Sequence, residues 1–157
     1  MKKTNAARHL DLIGFSYRLV EYPFDEDNLG AGSVAEKIGM PLERVYKTLV
    51  VRGDKAGVFL AVIPGDSELD LKLVAALTGN KKCELVHLKE VFPLTGYQRG
   101  GVSPLGAKKT FPVIIDESAL EFDEISVSAG LRGLQMILNP SHLVDACRAT
   151  TGRILRD

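Results

Sequence analysis

Two apolar segments joined by a short polar loop constrain the fold of this chain more than any other feature. The loop, residues 53–57 (GDKAG), follows a segment in which Val45, Leu49 and Val51 recur at every second or fourth position. It precedes residues 58–63, which are apolar throughout. Because a glycine-bearing turn between two strand-like runs is typical of a β-hairpin, we expect a sheet with the second run as its central strand.

Lys47 interrupts the apolar face of the first predicted strand. Side chains at every second position share a face, so Lys47 falls on the face of Val45, Leu49 and Val51. An ammonium at a partly desolvated site can bind a phosphate or ribose, or polarise a carbonyl as charge develops on its oxygen. The pattern fits equally well a structural lysine whose stem packs on apolar neighbours while its ammonium reaches water.

The rest of the chain predicts a mixture of helices and strands. Thr4 can cap a first helix that ends at Gly14, and Ser33 with Glu36 can form a capping box for a second helix ending near Gly39. Further helices are expected from Asp66 or Ser67 to Gly79, near residues 88–91, and after Asn139-Pro140, with strands at 15–22, 111–115, 124–128 and 134–138. With no repeat or linker to divide the chain, we expect one mixed α/β domain over residues 1–157, built on a curved mixed sheet or a β-barrel with peripheral helices.

Composition narrows the classes of function. The 20 Lys and Arg residues balance 20 Asp and Glu residues, so a nucleic-acid partner would have to be bound by a local basic patch. Cys83 and Cys147 lack CxxC spacing and the three histidines are scattered, so we expect no metal site, no disulfide framework and no cofactor. No apolar stretch approaches membrane-spanning length, which favours a cytoplasmic protein without a membrane partner.

Two glycine-rich segments, residues 97–106 and 126–133, add candidate binding groups. Their glycines allow close backbone approach and expose amides that can bind an anion or a carbonyl, and an arginine can bind phosphate or carboxylate. Each segment alone also fits an ordinary connecting loop or a tight hairpin. The candidate residues in them are Gly100, Gly101, Ser103, Ser128, Gly130 and Arg132.

No nucleophile is indicated by spacing. A Ser-His-Asp or Cys-His arrangement cannot be defended, although such groups need only meet in space. The two cysteines are expected to be core thiols, and His87 and His142 are given no role. Tyr22, taken alone, is a half-buried aromatic residue beside Pro23.

Three segments taken together resemble the YbaK/ProX family of aminoacyl-tRNA editing domains. They are residues 45–50 (VYKTLV), 100–106 (GGVSPLG) and 127–134 (VSAGLRGL), in this order and at this spacing. The similarity extends from about Tyr22 to the last predicted helix. The resemblance implies a mixed, β-barrel-like α/β fold and a trans-acting deacylase that hydrolyses mischarged Cys-tRNA(Pro), with prolyl-tRNA synthetase as a partner.

The resemblance also implies roles for individual residues. Lys47 is implied as the essential lysine, Tyr22 and Ser128 as lining of the aminoacyl pocket, and Ser103 as a residue that shapes its loop. Gly100, Gly101 and Gly130 would present backbone to the substrate. In cysteine-specific members the thiol of the substrate attacks its own ester carbonyl, so the protein would supply positioning and electrostatic stabilisation, with neither a nucleophile nor a metal.

The sequence departs from the family pattern at three places. Pro23-Phe24 stands where relatives often carry an acidic residue and a histidine, Leu131 replaces a frequently basic residue, and Gln135 stands where many have Asp or Ser. Leu131 is expected to weaken one possible tRNA contact, and Gln135 to change the pocket.

Three other functions stay open at this point. One is an Ala-tRNA(Pro) deacylase, which needs an activated water because alanine has no thiol. Another is a Schiff-base enzyme with Lys47 as the nucleophile. The third is a non-catalytic module that binds tRNA or a synthetase. Its phosphate-binding residues would be Lys81, Lys82, Arg99, Lys108 and Lys109.

Overall fold

The computed structural model describes residues 3–157, and in this range the chain forms five α-helices, two short 3₁₀ helices and eight strands. The α-helices are α1 (Asn5–Ile13), α2 (Ala31–Ile38), α3 (Leu71–Thr78), α4 (Leu88–Thr95) and α5 (Pro140–Cys147). The strands are β1 (Arg18–Glu21), β2 (Tyr46–Gly53), β3 (Gly57–Pro64), β4 (Cys83–Leu85), β5 (Val113–Asp116), β6 (Ile125–Leu131), β7 (Leu134–Leu138) and β8 (Thr150–Gly152). The 3₁₀ helices are Leu42–Arg44 and Glu117–Glu121.

The strands form two sheets. The larger has the order β4-β2-β3-β5-β8, with β2 antiparallel to β3 and β4, and with β5 parallel to β3 and β8. The smaller is antiparallel and has the order β1-β7-β6. A single bridge between Val45 and Ser126 joins the two. The predicted mixed α/β class is confirmed, and in the described chain the strands form two sheets and do not close into a barrel.

The core explains why residues 58–63 are apolar throughout. Leu60 and Val62 belong to the largest buried cluster, which also contains Val127 and Met136 of the smaller sheet. Phe59, Ala61 and Ile63 belong to a second cluster on the opposite face, together with Val74 of α3. A strand that is buried on both faces has no position left for a polar side chain.

Several predicted helix ends are confirmed. The Thr4 hydroxyl accepts a hydrogen bond from the Ala7 amide at 3.3 Å, and α1 ends at Gly14 in the left-handed conformation with φ of +82°. At α5 the Asn139 side chain accepts from the Ser141 amide at 2.8 Å, and Pro140 is the first helical residue.

Two predicted helix starts are wrong. α2 begins after Gly30, so Ser33 lies inside the first turn, where its amide donates to the Gly30 carbonyl at 3.1 Å, and no capping box forms. α3 begins after Asp70, whose carboxylate accepts hydrogen bonds from the Lys72 and Leu73 amides. Asp66 and Ser67 are not caps because the following residues pair with the C-terminal segment: Leu69 forms a bridge with Leu155.

The strand predictions differ mainly in length. β1 covers only Arg18–Glu21 because its pairing with β7 spans only these four residues. β6 continues beyond the predicted end at Ser128, through a register shift, to Leu131. Strands β4 and β8, three residues each, were not predicted. Within residues 3–157, no helix has both the length and the apolar character needed to cross a membrane.

Candidate functional site

The first half of β2 has an edge without a neighbouring strand. β4 pairs with β2 only at residues 51–53, and beyond this the Val86 amide donates to the Val50 carbonyl at 3.0 Å. On the other side of β2, the whole strand pairs with β3. The peptide groups of successive residues in an antiparallel strand point alternately to its two edges. The Val50 carbonyl points to the β4 edge, so the peptide groups of Thr48, two residues before it, point to the same edge, where no strand pairs with them.

A cavity of about 220 Å³ lies along this edge, and we call it the β2-edge cavity. A water molecule occupies about 30 Å³ in the liquid, so the cavity has room for a small organic group. Its walls come from α2 and Leu29 in the loop before it, the first half of β2, the β4–α4 segment, the loop of residues 99–102, and the smaller sheet. The lining residues are Leu29, Ala31, Val34, Val45, Tyr46, Lys47, Thr48, Leu49, Val50, Leu85, Val86, Leu88, Val91, Arg99, Gly100, Val102, Ser128 and Gln135.

The polar side chains of this lining are of three kinds. Two are cations and one is an amide, and the others carry hydroxyl groups. Among the residues that the structure describes, the lining contains no carboxylate, imidazole or thiol. The cavity therefore offers positive charge and hydrogen-bond donors, without a carboxylate or imidazole that could act as a base and without a protein thiol. The polar side chains are Lys47, Arg99, Gln135, Tyr46, Thr48 and Ser128.

Lys47 is half-buried and is held at one side of the cavity. Its Nζ donates to the Gly65 carbonyl at 3.2 Å, and an ammonium has three donors, so others remain for a ligand. A Cβ on Gly65 would lie 2.2 Å from the Ala31 Cβ and 2.9 Å from the Val45 carbonyl oxygen. Glycine is therefore required at the position that supplies the acceptor for Lys47.

Thr48 is a candidate that sequence analysis missed. Its Oγ1 is buried and has no hydrogen-bond partner within the described residues, although Thr48 lines the cavity. Buried hydroxyl groups are nearly always hydrogen-bonded, so the orphaned hydroxyl suits a ligand group. The sequence feature that could have indicated Thr48 is its position next to Lys47 within residues 45–50 (VYKTLV), which resemble the editing-domain family.

Two residues of the smaller sheet present polar groups to the cavity. The Ser128 Oγ accepts from the Gly130 amide at 3.1 Å, which leaves its O–H as a donor. The Gln135 amide oxygen accepts from the Ser126 hydroxyl at 2.7 Å, which leaves the amide N–H donors for other partners. Gln135 was noted from sequence only as a departure from the family pattern.

Gly130 shapes this part of the cavity without lining it. The register shift after Ser128 is a local bulge, and Gly130 within it has φ of +103°. A Cβ there would lie 2.9 Å from the Tyr97 ring. Only glycine fits this conformation and this space.

The glycine-rich segment 97–106 contributes differently at each candidate. Gly100 lines the cavity, with φ of +85°. Gly101 does not line it, and a Cβ there would lie 3.1 Å from the Arg132 amide nitrogen. Ser103 is fully buried, and its Oγ accepts from the Leu105 amide at 3.3 Å, so it contacts its own loop.

Tyr22 and Arg132 lie in a second, open depression, which we call the outer groove. The Arg132 Nε donates to the Arg99 carbonyl at 2.7 Å, so the groove adjoins the loop that lines the β2-edge cavity. The structure thus brings Lys47, Gly100 and Ser128 together and places Tyr22 and Arg132 outside their cavity. The groove is lined by Glu21, Tyr22, Pro23, Phe24, Leu131, Arg132, Gly133 and Leu134.

The ionisable groups with raised pKa values are protonated near neutral pH. Burial raises the pKa of Tyr46 to about 12, and its hydroxyl lies 2.8 Å from the Ser118 Oγ, so it is not a base. Burial also raises the pKa of Cys83, and that of Cys147 to about 12, and neither thiol lines the cavity. No group of three or more His, Cys, Asp or Glu side chains within residues 3–157 is arranged to hold a metal ion.

Comparison with known proteins gives a consistent picture. Residues 26–146 match the family model of the aminoacyl-tRNA editing domain. The EbsC protein of Enterococcus faecalis, a candidate Cys-tRNA(Pro)/Cys-tRNA(Cys) deacylase, is 48% identical over 143 residues, which cover 91% of this chain and 87% of that protein. The proline–tRNA ligase of Burkholderia multivorans is 31% identical over 101 residues, 62% of this chain and 18% of the ligase. The crystal structure of a candidate trans-editing enzyme for prolyl tRNA synthetase superimposes with a TM-score of 0.86 at 27% identity, covering 100% of both chains.

Proposed function

The chain belongs to the aminoacyl-tRNA editing domain family, and from this premise we propose that it hydrolyses mischarged Cys-tRNA(Pro) in trans. The observation that carries the choice of cysteine is the lining of the β2-edge cavity. It holds Lys47 and Arg99 but no carboxylate, imidazole or thiol among the described residues. Such a cavity suits a substrate that brings its own nucleophile.

The reaction uses the thiol of the substrate. Its sulfur attacks the ester carbonyl carbon, and the new S–C bond replaces the C–O bond to the ribose oxygen. The thiol proton ends on that oxygen, so the products are the free tRNA hydroxyl and a cysteine thiolactone. Water then opens the thiolactone to free cysteine.

Lys47 and Arg99 favour this reaction through their charge. A thiolate is the reactive form of a thiol, and neighbouring cations stabilise it relative to the thiol. The remaining donors of Lys47 also stabilise the negative charge that develops on the carbonyl oxygen in the tetrahedral intermediate. The Thr48 and Ser128 hydroxyls orient the aminoacyl ester by hydrogen bonds, which reduces the entropic cost of ring closure.

Serine and alanine are poor substrates for such a site. A serine hydroxyl has the same reach as the cysteine thiol but a far higher pKa, so it is scarcely ionised. Alanine has no side-chain nucleophile, and its ester needs an activated water. The described lining lacks the carboxylate or imidazole that commonly activates one.

The proposed partners are mischarged tRNA(Pro) and prolyl-tRNA synthetase. Support comes from the matching region of the Burkholderia ligase and from the similar structure of the candidate trans-editing enzyme. We further propose that residues 1–157 act as one editing domain, and that they act in the cytoplasm, where charged tRNA is consumed.

The test is single-turnover deacylation of Cys-tRNA(Pro), Ser-tRNA(Pro) and Ala-tRNA(Pro) by the native protein, Lys47→Ala and Lys72→Ala. Lys72 is an exposed lysine of α3 that does not line the cavity, so it controls for the loss of one positive charge. We expect rapid release of cysteine by the native protein and by Lys72→Ala. Lys47→Ala should lower the rate by about a hundredfold or more, as removal of an oxyanion donor does.

The other outcomes point elsewhere. Release of alanine by the native protein would favour an alanine-specific deacylase with an activated water. Salt-dependent tRNA binding without release of any amino acid would favour a non-catalytic module. Equal rates for the native protein and Lys47→Ala would remove Lys47 from the mechanism.

A further inference from the structure

The outer groove exposes two large apolar side chains next to a fixed backbone. Phe24 is 45% exposed and Leu131 is 47% exposed. A Cβ on Gly133 would lie 2.9 Å from the Phe24 Cδ1 and 3.0 Å from the Tyr22 carbonyl oxygen, so the Phe24 ring packs against the Gly133 backbone. The ring is therefore supported by the protein and still partly open to solvent.

Two charged side chains line the same groove as the Phe24 ring. Arg132 lines the groove, and its Nε bond to the Arg99 carbonyl connects the groove to the loop that lines the β2-edge cavity. Glu21 lines the groove as well and is exposed. The groove thus offers an aromatic ring, a guanidinium and a carboxylate, and it adjoins the loop that lines the β2-edge cavity.

We propose that the outer groove binds the single-stranded 3′ end of the tRNA just before its terminal adenosine. This inference rests on the proposed function, because it takes the aminoacyl-adenosine to lie in the β2-edge cavity. The base of the preceding nucleotide stacks on Phe24, and Arg132 binds a phosphate.

The chemistry of an unpaired acceptor end matches these groups. Sites for single-stranded nucleic acid combine positive charge with aromatic side chains on which bases stack. Arginine is suited to phosphate by its charge and its planar fork of donors. The terminal adenosine of a tRNA follows cytidines. The amino group of cytosine can donate a hydrogen bond to a carboxylate such as that of Glu21.

The test compares a long and a short substrate. The long one is Cys-tRNA(Pro), and the short one is the cysteinyl ester of adenosine alone, which lacks the nucleotides assigned to the groove. The variants are Phe24→Ala, Phe24→Tyr, which retains a stacking ring, and Phe92→Ala. Phe92 is a 59% exposed aromatic residue of α4 that lines neither depression, so it is the matched control.

The expected signature is selective. Phe24→Ala should lower kcat/KM for Cys-tRNA(Pro) by about tenfold or more, through KM, because loss of one stacked base has about this effect. Its rate on the adenosine ester should not change. Phe24→Tyr and Phe92→Ala should retain the native values on both substrates.

Two results would overturn the proposal. An equal loss on both substrates would mean that Phe24 supports the cavity, and no loss on either would leave the groove to another partner, such as a protein. Calorimetric binding of the RNA trinucleotide CCA, compared with adenosine, gives a readout independent of catalysis: the trinucleotide should bind Phe24→Ala about tenfold more weakly than the native protein. A native protein that binds CCA through Phe24 but hydrolyses neither ester would refute the proposed deacylation and leave this site standing.

Discussion

At the scale of single residues, Thr48 has the environment that most clearly suits a substrate contact. Thr48 lies in the part of β2 that has a free edge, and its buried hydroxyl has no hydrogen-bond partner among the described residues. A buried hydroxyl without a partner costs about 1–3 kcal/mol. The cost is offset when a bound ester or ribose supplies the missing hydrogen bond, so this group contributes more to the complex than to the free protein.

Thr48→Val should therefore separate stability from activity. Valine has nearly the same shape, so removing the orphaned hydroxyl should leave the free energy of unfolding unchanged or raise it by up to about 1 kcal/mol. Single-turnover deacylation should fall by about tenfold, the effect of one lost hydrogen bond to the substrate. Urea unfolding and the deacylation rate measure the two quantities.

Thr78→Val is the matched control for this substitution. The Thr78 hydroxyl already donates to the Val74 carbonyl at 2.7 Å and does not line the cavity, so this variant should lose stability and keep its rate. If Thr48→Val instead lost stability at an unchanged rate, its hydroxyl would have a structural role.

The site could be predicted in part, and the free strand edge explains the limit. Strand alternation singles out Lys47 because it is a cation on an apolar face, and the structure places it in the cavity. The same rule assigns Thr48 to the opposite face. A cavity at the edge of a strand receives side chains from both faces, and whether an edge is free depends on where β4 stops pairing, which local sequence does not encode.

At the scale of elements, local signals located helix ends only where no distant pairing competed. Thr4 and Asn139 cap their helices as their sequences predict. The start of α3 was misplaced because the preceding residues pair with the C-terminal segment, about 85 positions away in the chain. β4 and β8 are too short to show a period, and their pairing partners define them.

Asn80 connects two elements, so its loss should destabilise both. Its Oδ1 accepts from the Lys55 and Ala56 amides at 2.9 and 2.8 Å, and its Nδ2 donates to the Thr78 hydroxyl at 2.8 Å. Asn80→Ala leaves two turn amides of the β2–β3 hairpin without this acceptor. The free energy of unfolding should fall by about 1–3 kcal/mol, measured by urea denaturation.

The control for Asn80→Ala is Asn28→Ala, at an exposed position in the loop before α2. That substitution should change the free energy of unfolding by less than about 0.5 kcal/mol. Similar losses in the two variants would contradict the connecting role of Asn80.

At the scale of the whole molecule, the sequence could predict the mixture of helices and strands but not the division into two sheets. The alternation and the turns along the chain define single strands. Sheet closure depends on contacts between strands far apart in sequence, and here the Val45–Ser126 bridge joins the sheets where a barrel would need a continuous ladder. The same arrangement forms the β2-edge cavity, because β6 approaches β2 without extending the ladder along it.

The core between the sheets gives the whole molecule a predictable response to alkali. Tyr46 and Tyr97 are buried there, and burial raises the pKa of each to about 12, whereas a tyrosine in the unfolded chain titrates near 10. Between about pH 10 and 12 the folded protein therefore binds more protons than the unfolded chain, so the free energy of unfolding should fall as pH rises. The stabilisation is complete below pH 10 and is lost as pH rises through about 12.

Urea midpoints across this range, with tyrosinate absorbance to follow ionisation, should show the decline in the free energy of unfolding. The Tyr46→Phe/Tyr97→Phe double variant should show a shallower decline. An identical slope in the native protein and the double variant would mean that other groups, such as Cys147, cause the alkaline loss.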